Sequence, residues 1–187
     1  MLVRLASVAA CALALTVVSP ATAQAASRTF VDGPGDVWAG AAKVPDREQG
    51  DILRTAFTHS QRQVVVRTAF ADLKRQGRIL VFTRLRTNTR QVRDLSLTAT
   101  RNQWRGQAML LTRRGAPVRC QISHTIDYAA NVVVVRLPRI CLDNPRTVEA
   151  KFGVATWNKA QRVFTDNPIN HGSTDNLPPY TDPVRVG

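Results

Sequence analysis

The sequence lacks the short motifs that mark most enzyme active sites. It contains no Gly-x-Ser-x-Gly elbow, no phosphate-cradling glycine loop, no His-Glu-x-x-His and no Cys-x-x-Cys redox pair. Histidine is also scarce, with only His59, His124 and His171. We therefore expect a protein that is not an enzyme, and the remaining enzymatic alternative is a small hydrolase centred on His124 or His171.

Long hydrophobic runs are equally scarce. A single apolar run covers residues 5–18 after Arg4, and small residues that suit signal-peptidase cleavage follow it at 20–26. The run is shorter than the roughly 20 residues that a membrane-spanning helix needs, and no second run follows. This layout predicts a secretory signal peptide over residues 1–25, a secreted mature chain and no transmembrane segment.

Cysteine occurs three times, and Cys11 lies within the predicted signal peptide. Its removal leaves Cys120 and Cys141 as an even pair in an oxidising compartment, where a disulfide is expected. The chain-entropy model gives such a bond on the order of 3 kcal/mol of stabilisation for a closed loop of this length. We expect the pair to be structural.

Positive charge is plentiful, but lysine provides little of it. The formal net charge is +13, and arginine outnumbers lysine 22 to 4. Residues 84–119 hold nine arginines against one acidic residue. Either the excess reflects a coding bias towards arginine, or it forms a surface for anionic polymers such as cell-wall polymer or acidic polysaccharide. The candidate binding residues are Arg84, Arg86, Arg105 and Arg113.

Short alternating segments separated by turn residues are typical of an all-β sandwich or barrel. The predicted strands are 51–59, 63–71, 79–87, 94–100, 104–113, 118–128, 132–137 and 147–157. We expect a single antiparallel, jelly-roll-like β-sandwich of about eight strands over residues 26–157. The strands 118–128 and 132–137 form a predicted hairpin whose open end the disulfide closes.

Two segments fit this scheme less well. Helical spacing and a glycine at position 77 make a helix over 68–76 an alternative, but the β-branched run at 64–66 favours a strand. Residues 158–187 contain four prolines and few large apolar residues, and they predict an irregular C-terminal tail.

Acidic residues gather in the segment 27–51, which also contains glycine and proline. Asp32 and Asp36 are the candidate calcium ligands, with Asp46 and Asp51 nearby and Asp166 able to join them if the chain ends meet. The alternative is that these residues only form turns. Trp157 has outward parity in its predicted strand, so it is a candidate ring for stacking on sugars.

Several motifs resemble those of small secreted actinobacterial β-sandwich proteins of unknown function. They are Val-Asp-Gly-Pro-Gly-Asp-Val at 31–37, Gly-Asp-Ile at 50–52, Ala-Asp-Leu at 71–73, the lone Cys120, Leu-Pro-Arg-Ile-Cys-Leu at 137–142 and Asn-Pro at 144–145. The likeness covers residues 31–155. It extends more distantly to DOMON and family 9 carbohydrate-binding sandwiches, and it implies a jelly-roll-like domain that binds without catalysis.

Together these features predict a monomeric secreted protein that binds anionic envelope or extracellular polymer through its arginines. We expect no specific nucleic-acid partner, because no nucleic-acid-binding module appears. The alternative among binding proteins is a calcium-stabilised carbohydrate-binding module that uses Asp32, Asp36 and Trp157.

Overall fold

The computed structural model describes residues 25–170 and 178–187. The predicted signal peptide lies outside this range except for residue 25, and so does His171. No helix in the described ranges is long and apolar enough to span a membrane. They contain one 3-10 helix, Arg139–Leu142, and thirteen strands. The strands are β1 Ala26–Val31, β2 Trp38–Ala39, β3 Ala42–Lys43, β4 Ile52–His59, β5 Gln63–Phe70, β6 Arg78–Thr87, β7 Val92–Thr100, β8 Gln103–Thr112, β9 Ser123–Asp127, β10 Val132–Pro138, β11 Thr147–Trp157, β12 Val163–Asp166 and β13 Val184–Arg185.

The strands form two antiparallel sheets that face each other. The first sheet has the order β1-β4-β5-β10-β9, and the second has the order β3-β2-β12-β11-β6-β7-β8. Strand β13 pairs with the beginning of β11, while β12 pairs with its end. This arrangement confirms the predicted all-β, antiparallel sandwich, although with more strands than the eight expected.

Period-two alternation builds the core between the sheets. In β6 the odd-numbered residues from Ile79 to Thr87 are buried, and in β11 the even-numbered residues from Val148 are buried. Phe152 lies near the centre and is only 2% exposed. Its ring centroid lies 5.6 Å from the centroid of Phe30 and 5.6 Å from that of Phe57, both on the opposite sheet. The three rings therefore join the two sheets.

Most long strands match their predicted positions to within two residues. The helix considered over 68–76 does not form, because β5 continues to Phe70 and a turn follows it. Gly77 serves this turn rather than a helix end. It has φ +66°, and a Cβ there would lie 1.7 Å from the Trp157 carbonyl oxygen.

The predicted strand over 118–128 is wrong in its first half. Inward and outward positions do alternate from Val118 to Tyr128, but the regular strand begins at Ser123. Before that point the chain still belongs to the second sheet, because the Val118 N–H donates to the Leu110 carbonyl at 2.8 Å. Residues 113–122 therefore carry the chain from one sheet to the other.

The predicted hairpin and disulfide are confirmed. Strands β9 and β10 pair antiparallel from Asp127 with Val132 onwards. Cys120 precedes β9, and Cys141 lies in the short helix that follows Pro138, with the two Cα atoms 5.9 Å apart. The bond connects the crossing segment to the end of β10.

The sequence predicted that the C-terminal segment 158–187 is irregular, and this prediction is wrong for part of it. Strands β12 and β13 both lie within it, and Phe164, Asp166 and Val184 are buried. Thr181, which lies between these strands in sequence, packs beside β11. Its N–H donates to the Ala150 carbonyl at 2.9 Å. The sandwich therefore extends beyond the predicted boundary at residue 157.

Candidate functional site

Alternation along the second sheet directs a row of polar side chains away from the core. Arg84 and Arg86 occupy even, outward positions of β6. Their register partners in β11 are Lys151 and Glu149, and on the other side Arg84 pairs with Asp94 in β7. Charged side chains of three adjacent strands thus meet on one outer face.

These side chains line a pocket of about 620 Å³ on that face. We call it the basic pocket and define its cations as Arg84, Arg86, Arg90, Arg113 and Lys151. Arg90 lies in the turn between β6 and β7, and Arg113 lies in the turn after β8. Three of the four arginines predicted to bind are therefore close together.

Two of those arginines are held by carboxylates. Arg84 makes a bidentate pair with Asp94, with Nε to Oδ1 at 2.6 Å and Nη2 to Oδ2 at 3.0 Å. Arg86 donates through Nε to Glu149. These hydrogen bonds raise the pKa of both guanidinium groups, which stay charged at every physiological pH. No carboxylate pairs with Arg90, Arg113 or Lys151 among the described ion pairs, so these three supply the uncompensated charge.

Tyr180 lies beside the two pairs and lines part of the pocket. Its ring centroid is 4.0 Å from the guanidinium carbon of Arg86 and 4.6 Å from Nζ of Lys151. Burial raises the pKa of its hydroxyl, so the ring remains neutral. The C-terminal segment thus contributes an aromatic side chain to a surface that strands build.

Arg105 does not join the other three arginines. It lies on the same outer face near the beginning of β8, while Arg113 follows the end of that strand. Eight residues of chain separate the two, which corresponds to at most about 25 Å of extended strand. A polymer, rather than a small ion, is the kind of ligand that reaches both.

Trp157 lies at the end of β11, on the same face as Glu149 and Lys151. No register shift interrupts the pairing of β11 with β6, and Trp157 lies opposite Arg78. The guanidinium carbon of Arg78 is 4.8 Å from the Trp157 ring centroid. One side of the ring is thereby engaged with a cation, which reduces the area available for stacking on a sugar.

A second group of charged residues lies at one end of the sandwich. Asp32 and Asp36 follow β1, and Asp166 ends β12. One carboxylate oxygen of each lies within 4.8 Å of the others, and all three residues are buried. We call these three residues the acid cluster. The structure therefore brings both predicted calcium ligands together with Asp166, whereas Asp46 is exposed.

Backbone groups hold the acid cluster in place. The Ile52 N–H donates to Oδ2 of Asp166 at 2.6 Å, and the Asn167 N–H donates to Oδ1 at 2.7 Å. Burial raises the pKa of Asp166 to about 8, and the charges of Asp36 and Asp32 add to this rise. Asp166 therefore holds a proton near neutral pH unless another positive charge lies close to it.

The two histidines in the described ranges make backbone contacts. Nε2 of His124 lies 3.0 Å from the Arg105 carbonyl oxygen and 3.2 Å from that of Gly106, which fits a tautomer that donates from Nε2. His59 is fully buried, and its Nδ1 lies 3.0 Å from the Val184 carbonyl oxygen. Neither arrangement presents a base to a serine hydroxyl.

His59 is expected to make stability depend on pH. Burial lowers its pKa, and the nearby charge of Arg139 lowers it further, so the native state keeps the ring neutral. The unfolded chain binds a proton below its ordinary pKa of about 6.5, which favours unfolding by at most about 1.4 kcal/mol per pH unit below that value. The stability contribution is thus complete above pH 6.5 and lost as pH falls.

The free energy of unfolding of the wild type and of His59→Asn is measured by urea unfolding at a series of pH values from about 7.5 to 5. Asparagine can still donate to the Val184 carbonyl but does not titrate in this range. We expect a shallower pH dependence in the variant, and parallel profiles would contradict the assignment to His59.

Sequence reasoning missed part of the basic pocket. Arg90 lies within the arginine-rich stretch 84–119, and Lys151 faces outward in a predicted strand, so strand parity and charge were signals that pointed to them. Tyr180 gave no such signal, because it lies in a proline-containing segment.

Comparison of the chain with protein-family models and with curated protein sequences finds no match.

Proposed function

We propose that the protein is a secreted, non-catalytic binding protein that attaches to anionic cell-envelope or extracellular polymers through the basic pocket. The observation that carries this proposal is the convergence of five cationic side chains from β6, β11 and two turns on one outer face. Asp94 and Glu149 neutralise only two of them. An excess of three positive charges remains, and it favours phosphate- or carboxylate-bearing chains.

The chemistry of the pocket suits repeated anionic groups. The bidentate pair with Asp94 holds Arg84, and the hydrogen bond to Glu149 holds Arg86, so their remaining N–H groups are positioned before a ligand arrives. Arg90, Arg113 and Lys151 surround them without such restraint. Arg105 and Arg78 extend the positive charge along the same face, which gives a polymer further contacts beyond the pocket.

Binding is expected to weaken steeply with salt, and neutralising three cations should reduce this dependence. We compare the wild type with Arg90→Gln/Arg113→Gln/Lys151→Gln in co-sedimentation with insoluble cell-wall material across rising salt. Each phosphate contact releases about one counterion, so the slope of log K against log salt should fall by about two to three in magnitude. Affinity at low salt should fall with it.

A matched variant separates local contacts from net charge. Arg54→Gln/Arg62→Gln/Arg67→Gln removes the same charge from exposed positions on the first sheet and its β4–β5 turn. It should retain most of the wild-type slope. Equal losses in both triple variants would overturn the assignment to the basic pocket, and salt-resistant binding to neutral polysaccharide would instead favour the carbohydrate-binding alternative at Trp157.

A further inference from the structure

Three aspartates converge at one end of the sandwich, a fourth lies near them, and all four are buried. Asp32, Asp36 and Asp166 form the acid cluster, and Asp51 lies immediately before β4. Their exposed fractions are 6%, 5%, 0% and 2% in that order. Buried carboxylates of like charge are unfavourable at close range unless a cation or a proton compensates them.

Asp51 gives an independent indication that a cation belongs there. Its Oδ2 accepts a hydrogen bond from the Gly35 N–H at 2.7 Å, which places the carboxylate against the turn that carries Asp36. Its Oδ1 has no hydrogen-bond partner among residues 25–170 and 178–187, although the residue is 98% buried. A buried oxygen without a donor is costly, and a metal ion is one means of satisfying it.

We propose that Asp32, Asp36 and Asp166, with Asp51 beside them, bind a calcium ion. This inference is independent of polymer binding. The ligand atoms are carboxylate oxygens, which suit hard cations, whereas zinc prefers sulfur and nitrogen. Oxygens on opposite sides of one calcium ion lie about 5 Å apart. The spacing of up to 4.8 Å within the acid cluster therefore fits a shared ion.

The site joins elements that are far apart in sequence. Asp32 and Asp36 belong to the turn after β1, Asp51 precedes β4 in the first sheet, and Asp166 ends β12 in the second. A bound ion would therefore connect the two sheets at this end of the sandwich. Since it binds the folded state alone, it should raise the stability of the whole domain by mass action.

The first test is thermal unfolding of the purified protein in EDTA and in calcium. With calcium about 100-fold above its Kd, the Tm should rise by about 5–10 °C. Asp32→Asn and Asp36→Asn should lose most of this rise. In EDTA they should be at least as stable as the wild type, because each removes one charge from a repelling group.

Asp182→Asn is the matched control, since Asp182 is exposed and lies elsewhere on the chain. It should keep the full calcium response. An unchanged wild-type Tm, or an equal rise in the Asp32 and Asp36 variants, would overturn the proposal.

The second test does not depend on the stability of any acidic variant. Trp38 follows Asp36 by two residues and pairs with Thr165, the neighbour of Asp166, so it lies beside the acid cluster. Terbium bound there should show emission sensitised by Trp38, and calcium should compete it away. Trp38→Phe should lose the sensitised emission while keeping the calcium-dependent Tm. Failure of the wild type to sensitise terbium would contradict the site.

Discussion

Phe152→Ala is expected to lower the free energy of unfolding by about 3–5 kcal/mol, the largest effect of any single substitution considered. The side chain is 2% exposed and contacts Phe30 and Phe57 across the sandwich. Its removal leaves a cavity between two sheets that paired strands hold in place. Because the surrounding backbone cannot collapse fully, both transfer energy and packing are lost.

Urea unfolding of the wild type, Phe152→Ala and Phe152→Leu measures this effect. Leucine fills more of the space than alanine, so its loss should be clearly smaller. The slope of unfolding free energy against urea should stay the same in all three. A loss below about 1 kcal/mol for alanine would show that the three rings do not form the centre of the core.

The double substitution Cys120→Ser/Cys141→Ser should cost about 3 kcal/mol, the second largest effect. The bond closes the loop that contains the β9–β10 hairpin, so its loss mainly increases the conformational freedom of the unfolded chain. For a domain of this size the Tm should fall by about 6–12 °C.

Calorimetry of the oxidised wild type, the reduced wild type and the double variant gives the measurement. Reduction should bring the wild type close to the variant, and it should leave the variant itself unchanged. An oxidised wild type no more stable than the variant would contradict a stabilising role for this bond.

The sequence predicted long strands better than short ones, for a physical reason. Burial on one face alternates over many residues in β6 and β11, so the pattern identifies them. Strands β2, β3 and β13 have two residues each and leave no period to detect. They form because neighbouring strands provide hydrogen-bond partners, and those partners are distant in sequence.

Residues 118–122 show that alternation and strand pairing are separate properties. Val118, Cys120 and Ile122 pack against the core, as the pattern predicted. Alternation reports which side chains are buried, but it does not report which strand accepts the backbone hydrogen bonds. The chain changes sheets within this segment, so its regular pairing in the first sheet begins only at Ser123.

The candidate site was predictable in its parts but not in its arrangement. Parity placed Arg84 and Arg86 on one face, yet it did not show that Arg113 lies beside them and Arg105 does not. Similarly, composition marked Asp32 and Asp36, but their approach to Asp166 depends on pairing between β11 and β12. A single sequence contains no direct record of such long-range contacts.

The late position of β13 has a consequence for the order of folding. Val184 belongs to the core, and its strand fills the edge of β11 that β12 leaves open. The partner of β11 on the other side, β6, was synthesised more than 60 residues earlier. The complete core can therefore form only after Val184 has been synthesised. A partly synthesised chain without β13 would leave the edge of β11 at Thr147 and Val148 open to other strands.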